Sequence, residues 1–458
     1  MKETASDFIA KSTIKAADKE HRRKINFNIG KYNAVVPQGK QQFRDVNLAR
    51  EKAKNIKWKA IETLDKQLET FEAIITRRGA KVIWADNAEQ ALESIKKICA
   101  EKNCKSVVKS KSMVTEEIHL NDFLKKQGID SIETDLGEYI QQLDGEPPYH
   151  IVTPAMHKSK EDVARLFEEK LGTEPGLSPE QLTLVARKIL RDKYVQAEIG
   201  ITGANFIISD IGAIAVTENE GNARLCCAFP KTHIAIVGIE KMIPSLTDLA
   251  LFWPLLSTFG TGQKITVYNS IITGPRKRDE TDGPEEMYVI LLDNGRTNIL
   301  KNPVQRESLY CIRCGACLNA CPVYKNIGGH TYGATYSGPI GSVITPHLQG
   351  MKDYKHLSFA SSLCGNCTEV CAVKINLHEL LLENRHDSVE EGHTTFSERM
   401  AWKLWKMASL KRKMMNMGNG SLKNKVVNGL FKDWKRHRAE LKFSPKSFNE
   451  MWNDRYKN

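Results

Sequence analysis

The sequence predicts an α/β protein with a largely parallel sheet, followed by a helical cysteine-rich region and a basic helical tail. Three observations support this fold class. Short β-rich segments alternate with helical patterns between residues 79 and 298. Seven of the eleven cysteines lie between Cys311 and Cys371. The formal net charge of +12 arises in residues 399–458, which contain 16 Lys and Arg but only 4 Asp and Glu.

The size and composition are those of an ordinary soluble protein with two or three domains. The chain has 458 residues, of which 41% are hydrophobic and 27% are charged. The clustered cysteines favour a reducing compartment and metal ligation over a disulfide framework. The N-terminus has no apolar segment of signal-peptide length, and the most apolar run, residues 249–259, is about half the length of a membrane span. We therefore expect a cytoplasmic protein, at most peripheral to a membrane.

Residues 1–78 are predicted to form an N-terminal arm and one long helix. The first 45 residues are polar, and Pro37 and Gly39 are expected to break a helical arm into helical and extended pieces. From residue 45 to residue 78 apolar side chains recur at intervals of three and four, which is typical of one amphipathic helix. This helix is expected to pack on the domain that follows.

Residues 79–300 are predicted to form one α/β domain. The alternation of strands and helices implies βαβ units around a largely parallel sheet, with ligands bound at the carboxyl ends of the strands. The predicted helices cover residues 87–101, 116–127, 160–171 and 178–195. The predicted strands cover residues 81–85, 106–109, 131–134, 150–153, 206–209, 213–216, 234–237, 264–267 and 288–292.

Two loops of this domain carry candidate ligand-binding residues. Lys109, Lys111 and Ser112 follow a strand and precede a helix, so they could hold an anion at the helix N-terminus; a solvated, capped helix start is the alternative. Asn205, Glu218 and Asn222 lie in a second set of polar loops. Glu218 could act there as a nucleophile or base, although a polar turn explains the pattern as well. No dinucleotide or P-loop motif is present. Four isolated cysteines are interpreted as small core residues: Cys99, Cys104, Cys226 and Cys227.

The strongest motif is the run CIRCGACLNACP at residues 311–322. Its cysteine spacing and closing proline match the motif that binds an iron-sulfur cluster in bacterial ferredoxins. A structural zinc ion is the alternative, but zinc sites usually take their four ligands as two separated pairs. Residues 361–372, SSLCGNCTEVCA, repeat the pattern, except that Ser361 replaces the first cysteine and Ala372 replaces the proline. Residues 301–398 are therefore predicted to form a ferredoxin-like domain with two iron-sulfur clusters.

In two-cluster ferredoxins the fourth cysteine of each run binds the other cluster. With this crossover, cluster 1 takes Cys311, Cys314, Cys317 and Cys371, whereas cluster 2 takes only Cys321, Cys364 and Cys367. We expect [4Fe-4S] clusters, with cluster 2 completed by a non-cysteine ligand such as Ser361, by water or by an external ligand. A [3Fe-4S] core is the alternative for cluster 2. The glycine-rich residues 326–346 could bring backbone amides to the cluster sulfurs or could simply form a compact loop.

Residues 399–458 form a basic tail in which Trp402, Trp405, Trp434 and Trp452 are interspersed among Lys and Arg. This pattern admits RNA binding by stacking and phosphate contacts. It also admits an amphipathic membrane-surface segment or helices that dock on a partner subunit. Docking on a partner or a membrane is favoured over nucleic acid.

Four segments resemble the LutB family, the iron-sulfur subunits of the bacterial L-lactate utilization system. The resemblance covers nearly the whole chain. In this family a serine at the position of Ser361 is normal, whereas Ala372 departs from the proline and affects the rigidity of the loop exit. The segments are KSKSM at 109–113, TGANFIISDIGAIAVTENEGNARL at 202–225, CIRCGACLNACPVY from 311, and ASSLCGNCTEVC at 360–371.

The resemblance implies that the first domain is a LUD domain, similar in fold to sugar-phosphate isomerases and CoA transferases. It implies electron transfer during oxidation of L-lactate to pyruvate, together with a cysteine-rich LutA-like protein and a smaller LutC-like protein that has only a LUD domain. In the CoA transferases a glutamate beside an Asn-Gly turn is the nucleophile, and Glu218 followed by Asn219 is similar to it. The alternative function is a LUD-domain enzyme that converts a small carboxylic acid itself and uses the clusters as an electron relay.

Overall fold

The computed structural model describes residues 4–417, 419–430 and 438–456. The chain divides into two compact units, with the boundary between Ser388 and Val389. The first unit contains the sheet domain and all eleven cysteines. Its N-terminal helices are α1 (Ala5–Ala17), α2 (Lys19–Lys40), α3 (Val46–Glu62) and α4 (Leu64–Arg77).

The N-terminal arm is more helical than the sequence indicates. Pro37 and Gly39 do not break α2, because this helix packs against the helix Leu249–Thr261 and tertiary contact outweighs local propensity. Gly39 is buried there, and a side chain would meet the backbone of Gly262. The expected single helix over 45–78 is two helices, interrupted at Thr63, whose φ of −120° and ψ of 29° are not helical.

A six-stranded parallel sheet forms the centre of the sheet domain. The strand order is β1-β10-β7-β4-β2-β3, and every neighbouring pair is parallel. The predicted α/β class with a largely parallel sheet is confirmed. The apolar stripe of α4, which includes Leu68 and Phe71, packs in the same core as β7 and β10. The strands are β1 (Lys81–Ala85), β2 (Ser106–Lys109), β3 (Asp130–Glu133), β4 (Ile199–Thr202), β7 (Thr232–Gly238) and β10 (Glu286–Leu292).

A smaller mixed sheet of four strands lies beside the first, in the order β8-β5-β6-β9. Strand β6 is antiparallel to both neighbours, whereas β5 and β8 are parallel. Its strands are β5 (Phe206–Ile208), β6 (Ala213–Glu218), β8 (Met242–Ile243) and β9 (Tyr268–Ile272). The helices of this domain are α5 (Ala88–Glu101), α6 (Met113–Glu117), α7 (Leu120–Lys126), α8 (Leu136–Asp144), α9 (Lys160–Leu171), α10 (Pro179–Gln196), α11 (Asn222–Ala228), α12 (Leu249–Thr261) and α13 (Arg296–Lys301).

Two predicted strands are absent from the structure, and one central strand was missed. Residues 150–153 form a turn, in which Nδ1 of His150 accepts hydrogen bonds from the backbone N–H groups of Val152 and Thr153 at 3.1 and 3.2 Å. Residues 264–267 precede β9 and are not part of it. Strand β4 was missed because it is short, contains Gly200 and follows α10 after only two residues. It is nevertheless central, since it joins β7 to β2.

The cysteine-rich region is helical, as predicted, and packs on the sheet domain within the first unit. Its helices are α14 (Ala316–Ala320), α15 (Pro322–Ile327), α16 (Gly338–Gln349), α17 (Met351–Phe359), α18 (Asn366–Glu369) and α19 (Leu377–Glu390). The described helices of the tail are α20 (Phe396–Leu410), α21 (Arg412–Asn416), α22 (Gly420–Leu430) and α23 (Phe448–Tyr456).

The tail presents aromatic side chains on its surface. Trp402, Trp405 and Trp452 are all more than half exposed, whereas Trp434 lies outside the described residues. In the described parts of the chain, no helix combines the length and apolarity that a membrane crossing requires.

Candidate iron-sulfur sites and ligand pocket

Four cysteines, the first cysteine group, surround one small cavity, whose empty space of about 350 Å³ includes some that opens to solvent. Cys311 and Cys314 come from the loop that leads into α14, Cys317 lies in the first turn of α14, and Cys371 comes from the loop after α18. The rest of the wall is mainly apolar, with Ile340 among its side chains. An enclosed, apolar site with four soft sulfur ligands fits an iron-sulfur cluster, because such ligands select clusters or zinc.

Backbone amides point at the sulfurs of the first cysteine group. The N–H of Arg313 donates to Sγ of Cys311 at 3.4 Å, and that of Ile375 donates to Sγ of Cys371 at 3.3 Å. The Ile340 amide, at the start of α16, lowers the pKa of Cys317. Burial raises the pKa of Cys371 to about 11. Because the ligand form is the thiolate, these amides and a bound metal would both favour deprotonation.

The loop that carries Cys371 is fixed by the N-terminal helices. The guanidinium of Arg50, on α3, donates to the carbonyl oxygens of Cys371 and Glu369 at 2.9 and 2.7 Å. Ala372, where the motif has proline, is fully buried, and its backbone N–H interacts with the sulfur of Cys314. Proline has no N–H. Alanine at this position therefore keeps an N–H group beside a cluster ligand, and Arg50 holds the loop exit where the motif has a proline ring.

The second cysteine group consists of Cys321, Cys364 and Cys367. Burial, with the nearby Cys321 and Cys364 sulfurs, raises the pKa of Cys367 to about 11. Cys364 is exposed, so this group reaches the protein surface. The hydroxyl of Ser361 accepts a hydrogen bond from the backbone of Leu363 at 3.2 Å. Its role as the fourth ligand of cluster 2 stays a prediction.

A larger pocket, the central pocket, lies where the strands of the parallel sheet end. Its volume is about 1270 Å³, including space that opens to solvent. Residues that follow β2, β3, β4 and β7 line it, as expected for a parallel sheet. Cys314 also lines this pocket, so the first cysteine group forms part of its wall. The predicted ligand-binding residues in its wall are Lys111, Ser112, Asn205, Glu218 and Asn222.

Lys109 was also predicted to contact a ligand, but its side chain does not line the central pocket. The ammonium is fully buried and pairs with Glu133 at 2.8 Å and Glu116 at 3.0 Å. Burial alone would lower the pKa of Lys109, but these carboxylates raise it above its ordinary value. Lys109 is therefore a structural cation. The carboxylates that bury it lie on α6 and β3, outside the KSKSM motif, so the motif alone does not indicate this role.

Glu218 stands at the end of β6 and caps α11. Its two carboxylate oxygens accept hydrogen bonds from the backbone N–H groups of Ala223 and Arg224, at 2.7 and 3.0 Å. Burial raises the pKa of Glu218, whereas these two amides lower it. A carboxylate whose two oxygens both accept hydrogen bonds from the first turn of a helix stabilises the N-terminus of that helix. This geometry favours the structural interpretation of Glu218 over the nucleophile.

Four charged pocket residues were missed by sequence reasoning: Asp135, Glu220, Lys241 and Arg313. Glu220 lies only two residues from Glu218 in the same acidic run, and Arg313 lies inside the cysteine motif, so both had a signal in the sequence. Burial raises the pKa of Glu220 to about 7, and Asp135 acts in the same direction. Burial and Arg313 lower the pKa of Lys241 to about 8, while Glu240 opposes this change.

A buried ion-pair network connects the sheet domain to the cysteine loop. Arg296, at the start of α13, donates to both carboxylate oxygens of Glu117 at 2.9 and 2.8 Å, and it also pairs with Glu240. The hydroxyl of Tyr336 donates to Glu117 at 2.6 Å. Arg313 stacks over the Tyr336 ring at 4.5 Å and lies 3.5 Å from Glu240. The cysteine loop is thus tied to the carboxyl edge of the sheet.

Comparison with known proteins defines the class to which this fold and site belong. The LUD domain family matches residues 68–292, and the 4Fe-4S dicluster domain family matches residues 307–375. The protein thus joins a LUD domain to an iron-sulfur domain. A crystal structure of a DUF162 family protein from Deinococcus radiodurans covers 50% of this chain and 98% of its own, but its TM-score of 0.29 at 15% identity is too low to support a conclusion.

Several relatives carry the name lactate utilization protein B. The protein of Bacillus velezensis is 46% identical over 81% of this chain and 78% of its own length. That of Bacillus subtilis is 46% identical over 80% and 77%, and that of Bacillus cytotoxicus is 43% identical over 89% and 88%. This chain belongs to the lactate utilization protein B family.

Proposed function

We propose that this chain is a cytoplasmic iron-sulfur protein that transfers electrons during the oxidation of L-lactate to pyruvate, as one subunit of a larger system. Its relatives are named for lactate utilization. The observation that carries the proposal is the position of the two cysteine groups. Cys314 faces the central pocket, whereas Cys364 reaches the surface. This arrangement offers an electron entry on the pocket side and an exit toward a partner.

The first cysteine group is proposed to hold cluster 1 through Cys311, Cys314, Cys317 and Cys371. Its four members line one cavity, although Cys371 lies more than fifty residues from the others, and this supports the crossover. Cys321, Cys364 and Cys367 would hold cluster 2, a [4Fe-4S] cluster with a fourth ligand that is not cysteine. When bound, the clusters supply one-electron transfer. The protein's own residues exclude water from cluster 1 and orient its ligands.

The crossover is tested by removing single cysteines. Cys371→Ala should damage cluster 1, and Cys364→Ala should damage cluster 2, because the two thiols belong to different groups. Anaerobic electron paramagnetic resonance of the reduced proteins, together with iron analysis, distinguishes the two sites. Loss of the surface cluster in Cys371→Ala would overturn the assignment. Mössbauer spectra that show only three-iron cores at the second site would overturn the four-iron proposal for cluster 2.

The functional proposal is tested with the companion subunits, one cysteine-rich and one with a LUD domain alone. We expect L-lactate to reduce the clusters of this chain only when both companions are present. The readout is bleaching of the cluster absorbance under anaerobic conditions. D-lactate serves as the matched control substrate. The proposal fails if L-lactate leaves both clusters oxidised in the assembled system.

A second function is favoured by one observation, which is that Cys314 forms part of the pocket wall. In this alternative the LUD domain itself binds and converts a small carboxylic acid, and the clusters relay the electrons. Purified chain alone would then oxidise L-lactate with a dye acceptor. Glu218→Gln separates a catalytic from a capping role: unchanged turnover with a lower unfolding midpoint identifies a cap, whereas lost turnover at an unchanged midpoint identifies a catalytic group.

A further inference from the structure

Three side chains outside the cysteine groups, Glu146, His157 and His330, form a compact set of potential metal ligands, the His-Glu cluster. Each residue can offer one ligand atom, and these atoms all lie within 4.8 Å of one another. None of the three residues lines the central pocket or the cavity of the first cysteine group. Two imidazoles and one carboxylate are a ligand set that suits Zn²⁺ and neighbouring divalent transition metals.

The hydrogen bonds of the two imidazole rings leave a nitrogen on each ring without a proton donor. Nε2 of His330 donates to the carbonyl oxygen of Pro147 at 2.7 Å, so in the neutral ring Nδ1 carries a lone pair. Nε2 of His157 lies 2.9 Å from Oε2 of Glu146, whereas Nδ1 of His157 is buried and has no hydrogen-bond partner among the described residues. Such unpaired buried nitrogens are uncommon. Metal-binding histidines typically donate their other ring N–H to a backbone carbonyl, as His330 does.

Tyr149 fixes the positions of both rings. Its ring stacks on His157 with centroids 4.4 Å apart and meets His330 edge-on at 4.8 Å. The backbone around His330 also approaches closely, since a Cβ on Gly329 would lie 1.8 Å from the carbonyl oxygen of Tyr149. The Tyr324 hydroxyl donates to the same oxygen at 3.0 Å. Side chains held in this way lose little conformational freedom when they bind an ion.

The protonation states of the His-Glu cluster suit a cation. The hydrogen bond with His157 lowers the pKa of Glu146 to about 2, so this carboxylate is ionised at neutral pH. Burial lowers the pKa of His330, so its ring is neutral there. A metal ion requires an ionised carboxylate and neutral imidazoles as ligands.

Lys158 competes with a metal ion for Glu146. Its ammonium lies 3.0 Å from Oε2 of Glu146 and also pairs with Asp144. Because Asp144 can keep Lys158 paired when Glu146 turns to an ion, this competition weakens metal binding without preventing it. Removal of the Lys158 charge should therefore strengthen metal binding.

We propose that Glu146, His157 and His330 bind one divalent transition-metal ion such as Zn²⁺, with solvent completing its coordination. The Glu146 side chain is 37% exposed, which gives the ion access from solvent. Glu146 and His157 lie between α8 and α9, whereas His330 lies between α15 and α16. The ion therefore links the sheet domain to the cysteine-rich region. This site goes beyond the proposed electron transfer and does not rest on it.

The test is equilibrium dialysis of the full chain, prepared anaerobically with both clusters, against radioactive Zn²⁺. The wild-type protein should bind zinc saturably at this site and keep its iron. His157→Gln should weaken zinc binding by about tenfold or more, since a ligand is lost. His393→Gln is the matched control. His393 also pairs with a glutamate, Glu391, at 3.0 Å, but it belongs to no set of three potential ligands in the described chain, so binding should not change.

Lys158→Met separates a metal site from a purely structural cluster. This variant should bind zinc about fivefold more tightly or better, because it removes a positive charge beside the ion and leaves all three ligands in place. A cluster that only stabilises the fold through hydrogen bonds would show no such gain.

Iron content and the unfolding midpoint of each variant are measured first. If His157→Gln does not retain its clusters, His330→Gln takes its place, with the same expected loss of binding. The inference is overturned if the wild-type protein binds no zinc saturably, if the histidine variant binds zinc as tightly as wild type, or if Lys158→Met does not bind it more tightly. Zinc held by cysteines, or by the exposed group that includes His386, would be insensitive to His157→Gln and would give the second of these results.

Discussion

At the scale of single residues, Glu220 is one group of the central pocket whose charge changes near neutral pH. Desolvation and the charge of Asp135 together raise the pKa of Glu220 to about 7, against a hydrogen bond from the backbone of Leu136 that lowers it. The folded protein therefore holds this proton more tightly than the unfolded chain, where a glutamate has a pKa near 4.5. The contribution to stability is present at low pH and is lost as pH rises toward 7.

We predict that Glu220→Gln removes this pH dependence. Between pH 4.5 and 7 the free energy of unfolding of the wild-type protein should fall relative to that of the variant, by an amount that solvent screening of the exposed Glu220 side chain keeps small. Infrared difference spectroscopy should show a protonated carboxyl band that disappears with a midpoint of about 7 in the wild type and is missing in the variant. A band of the same midpoint in Glu220→Gln would assign the proton to another group.

Ala372 allows a second prediction at this scale. Its backbone N–H interacts with the sulfur of Cys314, and hydrogen bonds to cluster sulfurs raise the reduction potential. Ala372→Pro removes the N–H and should lower the potential of cluster 1 by roughly 40 mV, which corresponds to a hydrogen bond of about 1 kcal/mol. Anaerobic redox titration followed by electron paramagnetic resonance measures the change. Ala372→Gly keeps the N–H and should keep the potential.

At the scale of secondary structure elements, the network around Arg296 joins α6, α13 and the turn after β7. The guanidinium is buried, and it holds Glu117 and Glu240 from two different segments. Its pKa is raised well above the ordinary arginine value, since the attraction of these carboxylates outweighs burial. Because Tyr336 also donates to Glu117, the same network holds the cysteine-rich region against the sheet domain.

We predict that Arg296→Met destabilises the protein by about 3–5 kcal/mol, because it leaves two buried carboxylates without their cation. Arg306→Met is the matched control. Arg306 pairs with Glu62 at 2.8 Å, but both side chains are about 30% exposed, so the loss should be under about 1 kcal/mol. Denaturant unfolding followed by circular dichroism compares the two. Equal losses in the two variants would contradict the importance of the buried network.

At the scale of the whole molecule, the two units separate redox chemistry from the basic tail. All eleven cysteines and the central pocket lie in residues 1–388. The excess positive charge lies in residues 399–458. In the described part of the tail, Trp402 and Trp405 are 61% and 63% exposed, which is unusual for large aromatic side chains without a binding role.

We predict that a chain ending at residue 398 keeps both clusters and its unfolding midpoint, because the first unit buries its own core. The shortened chain should lose association with the companion proteins, measured by co-purification or analytical ultracentrifugation. Retained association would place the docking surface in the first unit.

Filter binding of the full chain and the shortened chain to single-stranded RNA, at several salt concentrations, is the second measurement. Tight, steeply salt-dependent binding that requires the tail would establish the nucleic-acid interpretation instead.

Local patterns predicted most of the elements but not their ends or interruptions. The helix over residues 160–171 and the strands over 81–85 and 106–109 agree with the structure residue by residue. Strand β4 was missed, and Pro37 does not break α2 as expected. In both cases the deciding interactions are long-range: β4 is stabilised by β2 and β7, and α2 by α12. Propensity within a short window cannot represent such contacts.

The sequence by itself determined the α/β class, the dicluster region and the two cysteine groups, because periodicity and ligand spacing are local properties of the chain. Only the tertiary structure decided what the charged residues do. It buried Lys109 among glutamates, used Glu218 as a helix cap, and brought Lys241 and Arg313 together at the wall of the central pocket. These roles depend on partners that are distant in the sequence, and the energy of a charge is set by the neighbours and solvent that folding provides.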